Sequence, residues 1–229
     1  MPTIQDIIRA QNLMDKAVVR KTPLLKSNTF SNMARTNIFL KLELFQKTGS
    51  FKVRGAYSKI NSLTKVQCKS GVVAASAGNH AQGVAYAAWK RKIKCSIIMP
   101  KNASPAKVAA TRSFGANVIL SGNTYDESWK TAYSLSRENG YSIIHAFDDP
   151  LVIAGQGTIG LELLEDLKDI DKIYLPLGGG GLASGVCIAI KNKRPNVKII
   201  GVESDQFPAM KKSLEKGNLC HIEGGFSIA

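Results

Sequence analysis

Short apolar runs alternate with amphipathic stretches along most of the sequence. The apolar runs predict strands at residues 38–42, 72–75, 96–99, 118–120, 143–144, 173–177 and 197–202. The amphipathic stretches predict helices at residues 81–90, 105–114, 126–139, 151–167 and 182–191. This alternation predicts an α/β fold with parallel-rich sheets covered by helices, a fold that binds ligands in its strand-to-helix loops.

The composition is typical of a globular protein. The chain has 229 residues, of which 44% are hydrophobic, enough for one or two cores. It has no apolar run of membrane-spanning length. Its N-terminal segment lacks the apolar region of a secretory signal, and Asp6 and Asp15 argue against a transit peptide. We therefore expect a cytoplasmic protein with no membrane partner. The cysteines are widely spaced, which favours free thiols: Cys68, Cys95, Cys187 and Cys220.

The charge is strongly positive and unevenly distributed. The net charge is +14, and residues 61–120 contain nine Lys and Arg but no Asp or Glu. A nucleic-acid-binding protein would also be basic. Here, however, the basic residues, such as those at 90–94, lack the interleaved aromatic residues of a stacking platform. We interpret them as a solvated face that attracts anionic ligands, and expect no nucleic-acid partner.

Four consecutive glycines form the most informative loop. They follow the predicted strand 173–177 and open the predicted helix 182–191. Glycine allows backbone N–H groups to approach an anion closely, and a helix N-terminus adds partial positive charge. The loop is neither a Walker motif nor a dinucleotide fingerprint. Four consecutive glycines at a strand-to-helix junction nevertheless indicate a phosphate cradle, with a flexible turn as the alternative. Its residues are Gly178, Gly179, Gly180 and Gly181.

Two further loops complete the candidate chemistry. Residues 76–80 follow a predicted strand and open a helix, an arrangement suited to a carboxylate, although Asn79 could simply cap the helix. Lys52 begins a helix of small residues, where it is either a solvated charge or an amine nucleophile, with Phe51 beside it to pack on a flat ring. A phosphate cradle, a carboxylate loop and an amine together indicate pyridoxal phosphate and an amino-acid substrate.

Segments 47–56, 76–83, 154–158 and 178–181 resemble, in order and spacing, those of the threonine dehydratase family, fold-type II pyridoxal-phosphate enzymes. The resemblance implies two lobes. The small lobe would comprise residues 71–148, and an incomplete large lobe would comprise residues 1–70 and 149–229. It also implies a homo-oligomer that eliminates water and ammonia from L-threonine or L-serine.

The resemblance implies a role for each site residue. Lys52 resembles the family's catalytic Schiff-base lysine, Phe51 the residue packed on the cofactor ring, and Asn79 the partner of its phenolic oxygen. The four glycines and Leu182 resemble the phosphate loop. The substrate-carboxylate loop would be Ser76, Ala77, Gly78, Asn79 and His80.

Two departures from related sequences refine this expectation. Serine racemases resemble this family but carry a second serine where this chain has Ala77, so Ala77 favours elimination over racemisation. Some relatives bind a divalent cation near the position of Glu203, but Ala209 stands about where a further acid would be needed. We therefore expect no metal.

Residues 222–229 resemble the beginning of a segment that would continue for about another third of a domain. The chain alone is therefore expected to be poorly active or inactive. Three alternative functions stay open: a fragment that binds cofactor or partner subunits without turnover, racemisation as in serine racemases, and β-replacement as in cysteine synthases of the same fold. The biosynthetic or catabolic role is also open.

Overall fold

Helices and strands alternate through residues 1–220 and 222, the part of the chain that the computed structural model describes. None of the helices in that part is long and apolar enough to cross a membrane. The helices are α1 Ile4–Leu13, α2 Asn28–Ala34, α3 Lys52–Asn61, α4 Lys65–Ser70, α5 Asn79–Lys90, α6 Pro105–Ser113, α7 Tyr125–Asn139, α8 Pro150–Asp166, α9 Gly181–Lys193 and α10 Ala209–Lys216. The strands are β1 Leu24–Lys26, β2 Phe39–Lys41, β3 Val72–Ala75, β4 Cys95–Met99, β5 Asn117–Leu120, β6 Ser142–Ile143, β7 Lys172–Pro176 and β8 Lys198–Val202.

A four-stranded parallel sheet with the strand order β5-β4-β3-β6 organises residues 72–143. Its central strands β3 and β4 are buried along their whole length, which explains their continuous apolar sequences. Successive residues of a strand face opposite sides of the sheet. Val72 and Ala74 accordingly pack into the core that contains α5, whereas Val73 and Ala75 pack with α7 on the other side. The predicted α/β fold is confirmed.

Two smaller strand pairs lie outside this sheet. β7 and β8 are parallel, and the glycine-rich segment follows the C-terminal end of β7. β1 and β2 pair antiparallel, with Leu24 opposite Lys41. The apolar run at residues 38–42 predicts β2, whereas β1 has only two consecutive apolar residues, Leu24 and Leu25, and is not predicted. The sequence analysis also missed α1, α2, α4 and α10, although the capping boxes of α1 and α4 were visible in the sequence.

The buried helix α8 connects the elements that carry the predicted site residues. It packs against α3 on one side and α9 on the other through glycines, which allow the helix backbones to approach closely. A Cβ atom on Gly155 would lie 2.6 Å from the carbonyl oxygen of Arg54 in α3. A Cβ atom on Gly185 of α9 would lie 2.4 Å from the carbonyl oxygen of Ile153 in α8. The glycines therefore determine how close α3 and α9 lie to the same helix.

Gly185→Ala should separate α8 from α9 and destabilise the protein. Alanine favours helix formation by about 1 kcal/mol over glycine, but here its methyl group would overlap backbone atoms that cannot move independently. We expect a net loss of about 1–3 kcal/mol in the free energy of unfolding, measured by urea denaturation. Asn192→Ala, at an exposed position of the same helix, is the control. Equal stability of the two variants would contradict the close packing.

Candidate active site

Lys52 is the first residue of α3 and its amine is partly withdrawn from solvent. Its Nζ atom donates a hydrogen bond of 2.8 Å to the carbonyl oxygen of Ala146 and lies 5.5 Å from the centroid of the Phe51 ring. Burial lowers the pKa of Lys52 to about 8. A substantial fraction of this amine is therefore neutral near physiological pH, the form in which lysine acts as a nucleophile or a base.

The tetraglycine loop presents the N-terminus of α9. Gly180 is the N-cap residue and has a φ of +85°, a conformation that glycine adopts without strain. No side chain caps α9, so the N–H groups of its first turn, which include those of Gly181 and Leu182, have no intrahelical acceptor. These N–H groups and the positive end of the helix form a site for an anion.

A loop that the sequence analysis missed covers these glycines. A Cβ atom on Gly179 would lie 2.4 Å from the ring of Phe147, and one on Gly181 would lie 2.7 Å from the carbonyl oxygen of Phe147. The same loop supplies Ala146, the acceptor for the Lys52 amine. Its position after β6, at the C-terminal edge of the parallel sheet, was the available signal.

Lys52 and the tetraglycine loop share one cavity of about 170 Å³. Among the described residues that line it, Lys52 is the one charged side chain and none is acidic. The lining consists of Phe51, Lys52, Ala146, Phe147, Gln156, Pro176, Gly178, Gly179, Gly180, Gly181, Leu182 and Ala183. The cavity thus brings together an amine, an aromatic ring and an anion site, which fits a small molecule that carries both an aldehyde and a phosphate.

A larger, more open depression of about 520 Å³ lies around the first residues of β7 and β8. It is lined by residues 170–172 and 193–198, and it contains none of the predicted site residues. Parallel α/β sheets bind ligands at the opposite, C-terminal ends of their strands. We therefore place the chemistry in the smaller cavity.

The predicted carboxylate loop connects β3 to α5. The N–H of Gly78, the N-cap residue, donates to Ser76 Oγ at 3.2 Å, and no side chain caps α5. Its first-turn N–H groups therefore have no intrahelical acceptor and can bind an anion. Asn79 is exposed, and it lies one helical turn before Gly83, whose Cβ atom would lie 3.1 Å from the Lys52 carbonyl carbon. Asn79 therefore lies on the same side of α5 as this contact with α3. Ala77 packs partly against the main core.

The side chain of His80 lies inside the protein. Its Nε2 atom is 2.9 Å from the carbonyl oxygen of Ile144 and therefore carries the proton of the neutral ring. Burial, with a contribution from the charge of Lys52, lowers the pKa of His80 to about 3. A substrate contact at this position therefore depends on the His80 backbone N–H.

His80→Gln should make the protein less sensitive to acid. The unfolded chain protonates His80 near pH 6.5, whereas the folded chain does so only near pH 3, so the free energy of unfolding falls as the pH drops below 6.5. Between pH 7 and pH 5 this group should account for a loss of about 2 kcal/mol. Glutamine keeps a donor for Ile144 but does not titrate. Urea denaturation at both pH values is the measurement, and an equal loss in both proteins would contradict the assignment.

The chain matches the family model described as pyridoxal-phosphate dependent enzyme over residues 16–229. It is 49% identical over 229 residues to the L-threonine ammonia-lyase of Thermotoga maritima, covering 100% of this chain but 57% of that protein. The chain thus spans little more than half the length of this curated relative.

Two solved structures show the same fold. The processed form of threonine deaminase isoform 2 from Solanum lycopersicum is 39% identical, with a TM-score of 0.90 over 96% of this chain and 62% of its own. Maize serine racemase is 36% identical, with a TM-score of 0.93 over 96% of this chain and 67% of its own. The resemblance to threonine dehydratases is confirmed, and the chain belongs to the family of pyridoxal-phosphate-dependent enzymes.

Proposed function

We propose that this chain carries pyridoxal phosphate on Lys52 and catalyses β-elimination of water from L-threonine or L-serine. Hydrolysis of the enamine product then releases ammonia and gives 2-oxobutyrate or pyruvate. One observation carries the proposal. The cavity that holds the partly neutral Lys52 amine also holds the uncapped start of α9. The names of the similar proteins, L-threonine ammonia-lyase and threonine deaminase, support this reaction class.

The cofactor would be held by three features. The N–H groups at the start of α9 would bind its phosphate, and the Phe51 ring would pack against its flat ring. Asn79, on the side of α5 that contacts α3, can donate to its phenolic oxygen. When bound, pyridoxal phosphate supplies an electron sink for the α-carbon of an amino acid.

The residues of the chain then bind the substrate and move protons. The uncapped start of α5 binds the α-carboxylate through its N–H groups. The neutral Lys52 amine accepts the α-proton at Nζ, and its lowered pKa suits a general base that works near neutral pH. The α-hydrogen and the β-hydroxyl together leave as one molecule of water. Addition of one water to the imine tautomer of the resulting enamine then releases ammonia and the 2-oxo acid.

Racemisation is the second candidate, because maize serine racemase has nearly the same fold. Racemisation needs a proton donor on each face of the α-carbon, and Lys52 serves one face. The methyl group of Ala77 cannot serve the other. A homo-oligomer and a cytoplasmic location stay predictions, as do the lobe boundaries at residues 70/71 and 148/149.

Elimination should therefore exceed racemisation. With added pyridoxal phosphate, L-serine should be converted to pyruvate and ammonia faster than it is converted to D-serine. A 2-oxo-acid assay measures the pyruvate, and chiral chromatography measures the D-serine. Ala77→Ser should raise the ratio of D-serine to pyruvate, because it supplies a hydroxyl donor at that position. D-serine as the main product of the unaltered chain would contradict the proposal.

Lys52 should carry the cofactor. Borohydride reduction in the presence of pyridoxal phosphate, followed by peptide mapping, should place the pyridoxyl adduct on Lys52. Lys52→Ala should lose the adduct and any turnover, because it removes both the attachment point and the base. Lys47→Ala, five residues away on an exposed loop, should retain both. A major adduct on Lys47 would remove the assignment.

Negative charge in the tetraglycine loop should weaken cofactor retention. Gly178 is the position to use, since a Cβ atom there meets nothing within 4 Å. Gly178→Asp should raise the apparent Kd for pyridoxal phosphate at least about tenfold relative to Gly178→Asn, about 1.4 kcal/mol of charge repulsion. The asparagine variant controls for size. Equal Kd values in an absorbance titration would place the phosphate elsewhere.

A further inference from the structure

Arg54, two residues after Lys52 in α3, is fully buried. Its guanidinium makes a bidentate pair with Glu43, at 2.8 Å from Nε and 2.7 Å from Nη2. It makes a second pair with Glu162 of α8, at 2.6 Å from Nη1 and 3.0 Å from Nη2. The remaining acceptors are Thr158 Oγ1 at 3.1 Å and the Arg20 carbonyl oxygen at 3.2 Å. All five N–H donors of Arg54 are therefore used.

The carboxylates of Glu43 and Glu162 also have partners other than Arg54. Glu162 pairs with Lys41 Nζ at 2.7 Å, and Glu43 accepts a hydrogen bond of 3.2 Å from Gln46 Nε2. Burial alone would lower the pKa of Arg54, but its hydrogen bonds to Glu43 and Glu162 raise it above the usual range. We call Arg54, Glu43, Thr158 and Glu162 the Arg54 cluster. The guanidinium of Arg54 therefore stays charged, and its hydrogen bonds hold it in one orientation.

The Arg54 cluster holds the same helical turn that carries Lys52. On α8, Gln156 Oε1 accepts from the N–H of Gly55 at 3.3 Å, next to the close contact between Gly155 and the Arg54 carbonyl. On α5, Gly83 approaches the Lys52 peptide from another side. The backbone of Lys52 is thus fixed by α8 and α5 together.

Helix α8 also fixes the position of the phosphate loop. A Cβ atom on Gly157 would lie 2.9 Å from the Gly185 carbonyl oxygen in α9. The segment Ala154–Thr158 belongs to neither the phosphate loop nor the carboxylate loop. It contacts both α3, which carries Lys52, and α9, which begins at the tetraglycine loop. One buried helix sets the separation between the two.

We propose that Arg54, held by Glu43, Thr158 and Glu162, is a positioning residue that fixes the Lys52 amine relative to the start of α9. The side chains at positions 52 and 54 leave the helix on different faces, so Arg54 acts through the backbone of α3. Buried ion pairs contribute little net stability, whereas they can impose a unique arrangement. As far as it concerns the cofactor, this inference rests on the proposed function.

The test uses conservative variants with matched controls. Thr158→Val removes one acceptor of Arg54, and Arg54→Lys replaces the planar fork with a single ammonium. Thr111→Val is the control for the first, since Thr111 is also buried and also donates to a carbonyl of its own helix. Arg112→Lys, on the exposed side of α6, is the control for the second. Urea denaturation verifies that each variant is folded.

Two readouts are compared. The first needs no cofactor: acetic anhydride labels Lys52 over a range of pH, peptide mapping gives the rate, and the midpoint reports the pKa of the amine. The second is the rate at which borohydride traps pyridoxal phosphate on Lys52. If Arg54→Lys does not fold, Thr158→Val decides the test with both readouts.

In both cluster variants, the labelling midpoint should rise from about 8, because a less constrained amine reaches solvent. Trapping on Lys52 should slow at least about threefold in Thr158→Val and more than about tenfold in Arg54→Lys, given that a misplacement of about 1 Å costs about 10²-fold. Both controls should match the original chain.

Folded cluster variants that keep the original midpoint and trapping rate would overturn the inference. A different result would separate this inference from the proposed function. In that result the original chain traps the cofactor on another lysine, while the cluster variants still shift the labelling midpoint of Lys52. It would support the positioning role and contradict the proposed function.

Discussion

The close approach of α8 to α3 and α9 is the constraint on which the site depends. Gly155 faces α3, and Gly157 and Gly160 face α9. Any larger residue at these positions would overlap backbone or side-chain atoms at less than 3.0 Å from its Cβ. Lys52 begins α3, and the proposed phosphate-binding turn begins α9. The glycine contacts of α8 therefore fix the distance between the Lys52 amine and the N–H groups at the start of α9.

The site also depends on the charges and dipoles that surround it. The starts of α5 and α9 are both uncapped, so two sets of N–H groups are left for ligand anions. Burial keeps His80 neutral and lowers the pKa of Lys52 to about 8, so part of this amine is neutral near physiological pH. The net charge of +14 attracts anionic ligands over longer distances.

Much of this arrangement could be predicted from the sequence, and the remainder shows the limits of such prediction. Apolar runs located β3 and β4 because strands buried on both faces are continuously hydrophobic. Four glycines after a strand predict a phosphate loop, and the structure brings these glycines into one cavity with Lys52. Their binding of phosphate stays a prediction. The acceptor role of Ala146 was not predictable, because a backbone carbonyl leaves no trace in residue identity.

Other features needed the tertiary structure. The ion pairs of Arg54 join residues 11 and 108 positions apart, and a lone arginine in a helix predicts a solvated charge. His80 belongs to the predicted carboxylate loop, yet its ring points into the protein towards Ile144. Pairing of β1 with β2 likewise depends on contacts that three-residue strands do not reveal.

The central claim is that one cavity presents the Lys52 amine and a phosphate site to the same small molecule. It is tested most directly by comparing pyridoxal phosphate with pyridoxal, which has the aldehyde but no phosphate, in borohydride trapping on Lys52. The account predicts that pyridoxal phosphate is trapped at much lower concentration and that inorganic phosphate competes with it. Equal trapping of the two aldehydes, unaffected by phosphate, would contradict the account.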